Sequence, residues 1–347
     1  MLKDQTLGII GGGQLGSMMC QAAKKIGIKT VVISDDKDGP AQNYCDKFIY
    51  SNYDKLENLQ KFTQLVDFVT YEFENIPFKT LNNINIIKPV FPSPKINQIV
   101  QNRQREKMFI NGLGIKTTPW AFIKSKEDIK KNKNLLPGIL KTCTLGYDGH
   151  GQHILNSIKD IKKEWCFSDN YILEKLVDLK KEISVIITRF NNGSYSLYEP
   201  IENIHKKQIL EKSLIPADIS QNIYEQSLNT AKDISEKLNY VGTMCVEYFI
   251  DKKQNLFVNE IAPRVHNSGH LTINAFNISQ FENHVRAVCD LDILPVKKIS
   301  NAEMINILGN NINNYREKSF KNGEFFFDYL KKNIKEKRKM GHITTLK

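Results

Sequence analysis

The stretch LGIIGGGQLGSMMCQAAKKIGIKTVVISDD, residues 7–36, limits the fold most narrowly: an apolar strand runs into glycines at 11, 13 and 16, then a helix and a second apolar strand. Strand, turn, helix and strand in that order open a parallel sheet, because a crossover helix is what returns the chain to start a second strand in the same direction. The spacing G-x-G-x-x-G, with Asp35 or Asp36 ending the next strand, also fits a dinucleotide site. That reading explains one motif and leaves the rest of the chain without a task.

The pattern continues with strands expected at 7–11, 30–34, 47–50, 66–71 and 86–91 and helices near 14–26 and 55–65, a small parallel sheet with helices on both faces. VFPSPK (90–95) breaks it with two prolines. A helix near 101–111 follows, then strands at 138–143 and 171–177 around a glycine loop, runs at 183–190 and 195–201, a helix at 220–238, and a strand pair at 242–250 and 256–261. Mixed spacings of this kind read as α+β. From about 295 the chain is polar, aromatic at EFFFDYL and basic at its end, as expected of a small appended domain.

No apolar run reaches the roughly 18 residues of a membrane span, and MLKDQT leads into the first strand without a hydrophobic leader, so a cytoplasmic protein is expected. Lys plus Arg exceed Asp plus Glu by 49 to 38. The lysines are scattered without interleaved aromatics, which fits a field that gathers small anions better than a nucleic-acid surface. Neither a nucleic acid nor a membrane is expected as partner. The cysteines at 20, 45, 143, 166, 245 and 289 contain no C-x-x-C pair and read as buried free thiols.

KTCTLGYDGHGQ (141–152) puts a lysine on a strand ahead of glycines at 146, 149 and 151, a loop that can bring successive N–H groups to phosphate oxygens or serve only as a surface turn. YILEKLVD carries Glu174 and Lys175 on an apolar strand, with Glu182 soon after. Acids there need a partner: a nucleoside would supply donors, and the residues alone favour pairing with nearby lysines on an exposed face. In MCVEYFIDKKQNLFVNEIAPRVHNSGH (244–270), a four-residue loop at 252–255 would set Glu247 across from Glu260. Facing carboxylates are best tolerated around a cation, and Mg²⁺ takes one or two protein carboxylates while leaving positions for phosphates; Mn²⁺ is the alternative, and Asn259 could add an oxygen. Two unrelated surface glutamates are the other reading. Arg264, His266, Asn267 and His270 follow at once, a fork, an imidazole and an amide suited to a planar oxyanion.

GGGQLG (11–16), YEFENIP (71–77), LKTCTLGYDGHGQ (140–152), NEIAPRVHNSGH (259–270), SQFENHVRA (279–287) and RKMGH (338–342), taken together and in this order, resemble the ATP-grasp enzymes, specifically the N5-carboxyaminoimidazole ribonucleotide synthetase family. The resemblance implies an ATP-grasp fold: an N-terminal Rossmann-like pre-ATP-grasp domain (1–100), a central two-subdomain ATP-grasp domain (101–294) and a small, short C-terminal domain (295–347). It implies an ATP-dependent ligase that carboxylates the amine of 5-aminoimidazole ribonucleotide with bicarbonate, through carboxyphosphate, in purine biosynthesis, as a homodimer. Arg103, Lys141, Gly146, Tyr147, Asp148, Gly149, His150, Gly151, Gln152, Glu174, Lys175, Leu176, Val177, Glu182, His205, Asn259 and Glu260 would then bind ATP, with Glu247 and Glu260 on Mg²⁺. Arg264, His266 and Asn267 would bind bicarbonate or carboxyphosphate. The turn at Gly12, Gly13, Gln14 and Leu15 would receive the ribonucleotide 5′-phosphate, completed by Glu72, Asn75, Tyr147, Asp148, Arg338 and Lys339. Against the family pattern, His150 stands where a basic side chain is usual and Glu336-Lys337 where Pro-Gly is usual. Other ligases on this fold, using glycinamide ribonucleotide or formate, are the nearest rivals, ahead of an NAD-dependent oxidoreductase.

Overall fold

The computed structural model describes residues 5–144, 151–162 and 170–347. Its first sheet is parallel throughout, with β1 (Thr6–Ile10), β2 (Lys29–Ser34), β3 (Lys47–Tyr50) and β4 (Phe68–Tyr71) in the order β3-β2-β1-β4. Between them run α1 (Gln14–Lys25) and α2 (Leu56–Thr63), and α3 (Phe78–Asn85) and α4 (Pro94–Val100) follow. The strand expected at 86–91 is reduced to one bridge, Val69 to Val90, because Pro89 and Pro92 each lack the N–H that a ladder needs. The second proline of VFPSPK instead opens α4, where a missing N–H costs nothing.

Helix α5 (Arg103–Gly112) starts at Asn102, whose side chain accepts from the N–H groups of Gln104 and Arg105. A small antiparallel sheet follows, order β5-β8-β6-β7, from β5 (Trp120–Ile123), β6 (Gly138–Thr142), β7 (Gln152–Leu155) and β8 (Tyr171–Lys175), with α6 (Lys126–Lys131) between β5 and β6. The chain then enters a large antiparallel sheet: β9 (Leu179–Arg189), β10 (Tyr195–Leu197), β11 (Ile201–Lys206), β12 (Ile209–Ile215), β13 (Gly242–Asp251) and β14 (Leu256–Ala262). Helix α7 (Gln221–Lys237) buries Ile223, Ala231 and Ile234 against one face, together with Ile183, Val185, Met244 and Val246 of the sheet.

After α8 (Thr272–Ala275) and α9 (Gln280–Val288), the C-terminal residues prolong this same sheet. β15 (Ala302–Leu308) pairs with β12, and beyond it, after α10 (Asn311–Arg316), lie β16 (Glu324–Asp328) and β17 (Lys339–Leu346), giving β14-β13-β9-β11-β12-β15-β17-β16 with β10 on β9. Helix α9 also closes the first sheet: Phe281, Val285 and Val288 share a core with Leu7, Met19 and Val32. Cys20, Cys143, Cys245 and Cys289 are buried thiols and Cys45 a half-buried one; Cys166 lies outside the described residues.

Three histidines knit these layers. His284 on α9 accepts from Thr243 N–H at Nδ1 (2.9 Å), so Nε2 faces Thr70 Oγ1 (2.8 Å) on β4 as the protonated nitrogen of a neutral ring. His342 meets Tyr329 Oη at 2.9 Å and packs beside His270. Burial lowers His284 and His342 to about 3 and puts His270 well below its ordinary value. The unfolded chain therefore binds more protons below pH 6.5, and stability present above that pH is lost as it falls toward 3. Glu106, which burial raises to about 8, and Glu72, which burial also raises, oppose part of this in the same window. The expected result is a loss of about 1.5–3 kcal/mol of unfolding free energy per pH unit below 6.5. Chemical denaturation at pH 7.5, 6.5, 5.5 and 5.0 reads it, and a flat profile contradicts it.

Candidate active site

Arg103, Glu106, Lys107 and Ile110 recur at the spacing that puts them on one face of α5, and that face joins the two antiparallel sheets. Lys107 Nζ lies 2.9 Å from Glu174 Oε1 on β8 and donates to Asn259 O on β14 at 3.3 Å. Lys141 on β6 takes the other oxygen of Glu174 at 2.7 Å. All three side chains are inside, Glu174 with 3% of its surface exposed and Lys107 with 1%. Burial favours a neutral acid, yet the two ammonium groups hold Glu174 well below the usual carboxylate range. The acid on an apolar strand thus has lysine partners, drawn from distant segments into the interior. Arg103 anchors its N–H on Cys143 O and sends Nη1 to Glu260 Oε2 at 3.0 Å. Glu106 accepts from Ile261 N–H at 2.6 Å, clamping β14 beside Glu260.

Glu247 and Glu260 face each other across β13 and β14, as the hairpin count requires, but by a different route. Ile250 pairs with Leu256 and Tyr248 with Val258; Asn259 then bulges out of the ladder and returns Glu260 to Glu247. Without the bulge, Asn259 would stand opposite Glu247. Two carboxylates side by side form a hard-oxygen donor set that fits Mg²⁺ or Mn²⁺. Among the described residues no group of three or more His, Cys, Asp or Glu side chains could hold an ion unaided. Glu247 meets His266 Nε2 at 3.1 Å. Burial works against both charges, and the His266 ring holds Glu247 down to about 2 while Cys245 and Glu247 raise His266.

The loop after β14 is held from several sides. Gln280 Oε1 accepts from His266 N–H (2.9 Å) and its Nε2 donates to His266 O (2.6 Å); a Cβ at Gly269 would lie 2.7 Å from that carboxamide, so only glycine fits. His266 Nδ1 lies 2.9 Å from Ser268 Oγ, itself 2.8 Å from Ser184 Oγ on β9. Arg264 turns Nε and Nη2 onto the two oxygens of Glu74 and Nη1 onto Val265 O at 3.1 Å. Asn267 does not join that fork: its amide pairs reciprocally with Asn306 on β15, at 3.0 and 2.7 Å. His270 lies in the ring cluster with His342, Phe281 and Tyr329.

The glycine turn departs from the phosphate reading. Glu72, at the end of β4, accepts from Gly13 N–H and from Gly16 N–H (2.7 Å), so the chain's own carboxylate takes two donors at the start of α1. A Cβ on Gly13 would lie 2.5 Å from Glu72 Oε1, which is why the turn carries glycine there. Gly12 is buried and its carbonyl accepts from Ala41 N–H, while Gln14 Oε1 and Lys339 O both receive Lys331 Nζ, at 2.5 and 2.7 Å. Leu15 is half-buried and Asn75 exposed; Arg338 is half-buried with Nη1 on Asn333 O (2.9 Å). At the other end of the site, Glu182 meets His205 Nδ1 at 2.9 Å. Burial lowers His205, and Glu182 outweighs it to raise the ring. Lys175 ends β8, Leu176 and Val177 lead from it toward β9, and Gly151 O accepts from Thr142 N–H ahead of Gln152. Gly146, Tyr147, Asp148, Gly149 and His150 lie outside the described residues.

Family models match nearly the whole length: a ribonucleotide synthetase preATP-grasp domain over 4–101, an ATP-grasp domain over 108–281, and a phosphoribosylaminoimidazole carboxylase C-terminal domain over 302–347. The N5-carboxyaminoimidazole ribonucleotide synthase of Bacillus subtilis (strain 168) is 37% identical, covering 98% of this chain and 91% of that protein. The chain belongs to the N5-carboxyaminoimidazole ribonucleotide synthase family. It is an ATP-dependent ligase with the ATP-grasp fold that its motifs implied. A crystal structure of the ADP complex of an N5-carboxyaminoimidazole ribonucleotide synthetase superposes with a TM-score of 0.95 at 36% identity, covering 100% of this chain and 93% of that one. The synthase from Aspergillus clavatus, in complex with ADP and 5-aminoimidazole ribonucleotide, gives 0.91 at 25% identity, covering 100% and 95%.

Within this synthase-family site, sequence reasoning passed over Glu74, Glu106, Lys107, Gln280 and Lys331. The i, i+3, i+4 spacing from Arg103 was a readable signal for Glu106 and Lys107, and a second acid two residues after Glu72 was one for Glu74. Gln280 and Lys331 act on groups remote in sequence and left no local sign.

Proposed function

We propose that the chain carboxylates the amine of 5-aminoimidazole ribonucleotide to N5-carboxyaminoimidazole ribonucleotide, consuming ATP and bicarbonate in purine biosynthesis. The observation that carries this reading is that Glu247 and Glu260 pair across β13 and β14, with His266 on Glu247 and Arg264 two residues beyond the end of β14. A bicarbonate oxygen attacks the γ-phosphorus of ATP, the bond to the β-phosphate oxygen breaks, and ADP leaves carboxyphosphate. The amine nitrogen then takes the carboxyl group, as the mixed anhydride or as CO₂ released from it, with loss of phosphate and a proton. Arg264 and His266 hold the one-carbon anion, and the half of the Arg264 fork not spent on Glu74 or Val265 meets its oxygens. Mg²⁺ (or Mn²⁺) on Glu247 and Glu260 would neutralise charge on the phosphates.

Arg103, Lys141 and the loop 146–152 belong to the ATP phosphates, Glu174 to Val177 to adenine, Glu182 to ribose with His205 behind it, and Asn259 to the ion. Glu72, fixed on Gly13 and Gly16, presents a carboxylate to the ribonucleotide beside Asn75. The 5′-phosphate then falls to the N–H groups of Gln14 and Leu15 and to Lys331, Lys339 and Arg338. A cytoplasmic homodimer completes the reading.

The test measures ADP release with ATP, Mg²⁺ and labelled bicarbonate, with and without 5-aminoimidazole ribonucleotide. Ribonucleotide-dependent ADP with label in an acid-labile product is expected, falling at least about 10²-fold in Glu260→Ala. Turnover with glycinamide ribonucleotide or formate in place of these substrates overturns it.

A further inference from the structure

The geometry points to Glu74 as the positioning residue that fixes the Arg264 guanidinium for the carboxylation step, an inference that rests on placing bicarbonate at Arg264. Three features combine. First, the contact is a two-point fork: Nε meets Oε2, and Nη2 meets Oε1 at 3.2 Å, so the guanidinium plane cannot rotate about its stem. Second, Glu74 is itself immobilised. Its carbonyl accepts from Gln101 Nε2 at 2.6 Å, as does that of Ile76 at 2.8 Å, and two residues earlier Glu72 is tied to the glycine turn. Third, Glu74 comes from the parallel-sheet domain and Arg264 from the loop behind β14, 190 positions away. A single tripeptide, Glu72 to Glu74, therefore touches the turn assigned to the ribonucleotide and the arginine assigned to the one-carbon anion.

Glu74 could have acted in two opposite ways, and the two leave different marks. As a competing anion it would weaken bicarbonate binding, and its removal would lower KM. As an orienting group it contributes mainly where geometry matters most, in the transition states, and its removal lowers kcat. The shared fork favours the second. Glu74 takes Nε and one N–H of Nη2, and Val265 O takes one N–H of Nη1, which leaves one N–H on each terminal nitrogen for the oxygens of a planar carboxylate.

The experiment compares Glu74→Ala, Glu74→Gln and Arg264→Ala with wild type, reading kcat, the KM for bicarbonate and for ATP, and ADP released per carboxylated product. In E74A, kcat is expected to fall at least about tenfold, with bicarbonate KM at or below the wild-type value and ATP KM within about twofold. More than one ADP is expected per product, because a misplaced anhydride is lost to water. E74Q keeps one acceptor for Nε and recovers part of kcat. If E74A does not fold, the same quantities are read in E74Q. A kcat within about twofold of wild type, or a raised bicarbonate KM with unchanged kcat, overturns the inference. If Arg264→Ala itself turns over like wild type, the placement of bicarbonate fails; if R264A is inactive while E74A is not, only the role of Glu74 fails.

Discussion

Arg264→Ala is expected to lower kcat/KM for bicarbonate about 10³-fold while leaving ATP binding near wild type. The size follows from what one guanidinium does: it presents a fixed pair of donors to a small anion whose charge shifts onto the transferring oxygens, and removing one such donor elsewhere costs about 10²–10³ in rate. Arg264 is half-buried and already held by Glu74 at Nε and Nη2 and by Val265 O at Nη1, so a bound anion meets donors that need no further ordering. Arg264→Lys should stay at least about tenfold below wild type, since an ammonium keeps the charge but has no fork to share between Glu74 and the anion. Steady-state kinetics with varied bicarbonate, alongside nucleotide binding by calorimetry, reads both. An alanine variant within about tenfold of wild type would remove Arg264 from the chemistry.

The largest effect on stability should come from Glu174→Ala, about 3–5 kcal/mol, because it leaves the Lys107 and Lys141 ammonium groups inside without the carboxylate they share. That is a large part of the roughly 5–15 kcal/mol by which a domain is stable. Glu174→Gln keeps the shape and loses the charge, and falls between. Replacing all three at once, by Lys107→Met, Glu174→Leu and Lys141→Met, should restore most of the stability and none of the ATP turnover, since an apolar set of similar volume needs no compensation. Urea denaturation and the ADP assay separate the two. A triple variant as unstable as E174A would show that packing, not charge, holds this region. Because Glu174 is held low, its contribution is present above about pH 4.5 and is lost as pH falls below that value.

How much was legible differs from residue to residue. The parallel sheet could be read from period and turn signals alone: β1 to β4 and α1 lie within two residues of their expected positions. The strand expected at 86–91 failed because Pro89 inside the run and Pro92 just after it remove ladder donors. Glu247 and Glu260 meet as the loop count required, yet the count succeeded through two departures that cancel, a longer turn at 251–255 and a bulge at Asn259. A bulge has no consistent local signature. Glu174 shows the same limit differently: an acid on an apolar strand announces that it needs a partner but does not say whether that partner lies nearby or, as here, on α5 and β6.

By itself the sequence determined what depends on neighbours along the chain: helix and strand periods, the caps, the glycine turns, the facing glutamates of one hairpin, and motifs specific enough to name a family. Only the tertiary structure decided which remote groups complete them. It put Glu72 into the glycine turn, Glu74 onto Arg264, Lys107 beneath Glu174, and the C-terminal strands at the edge of the large sheet. The physical reason is desolvation: a buried charge must find a partner somewhere, and the energy depends on distance in space, to which separation along the chain is no guide.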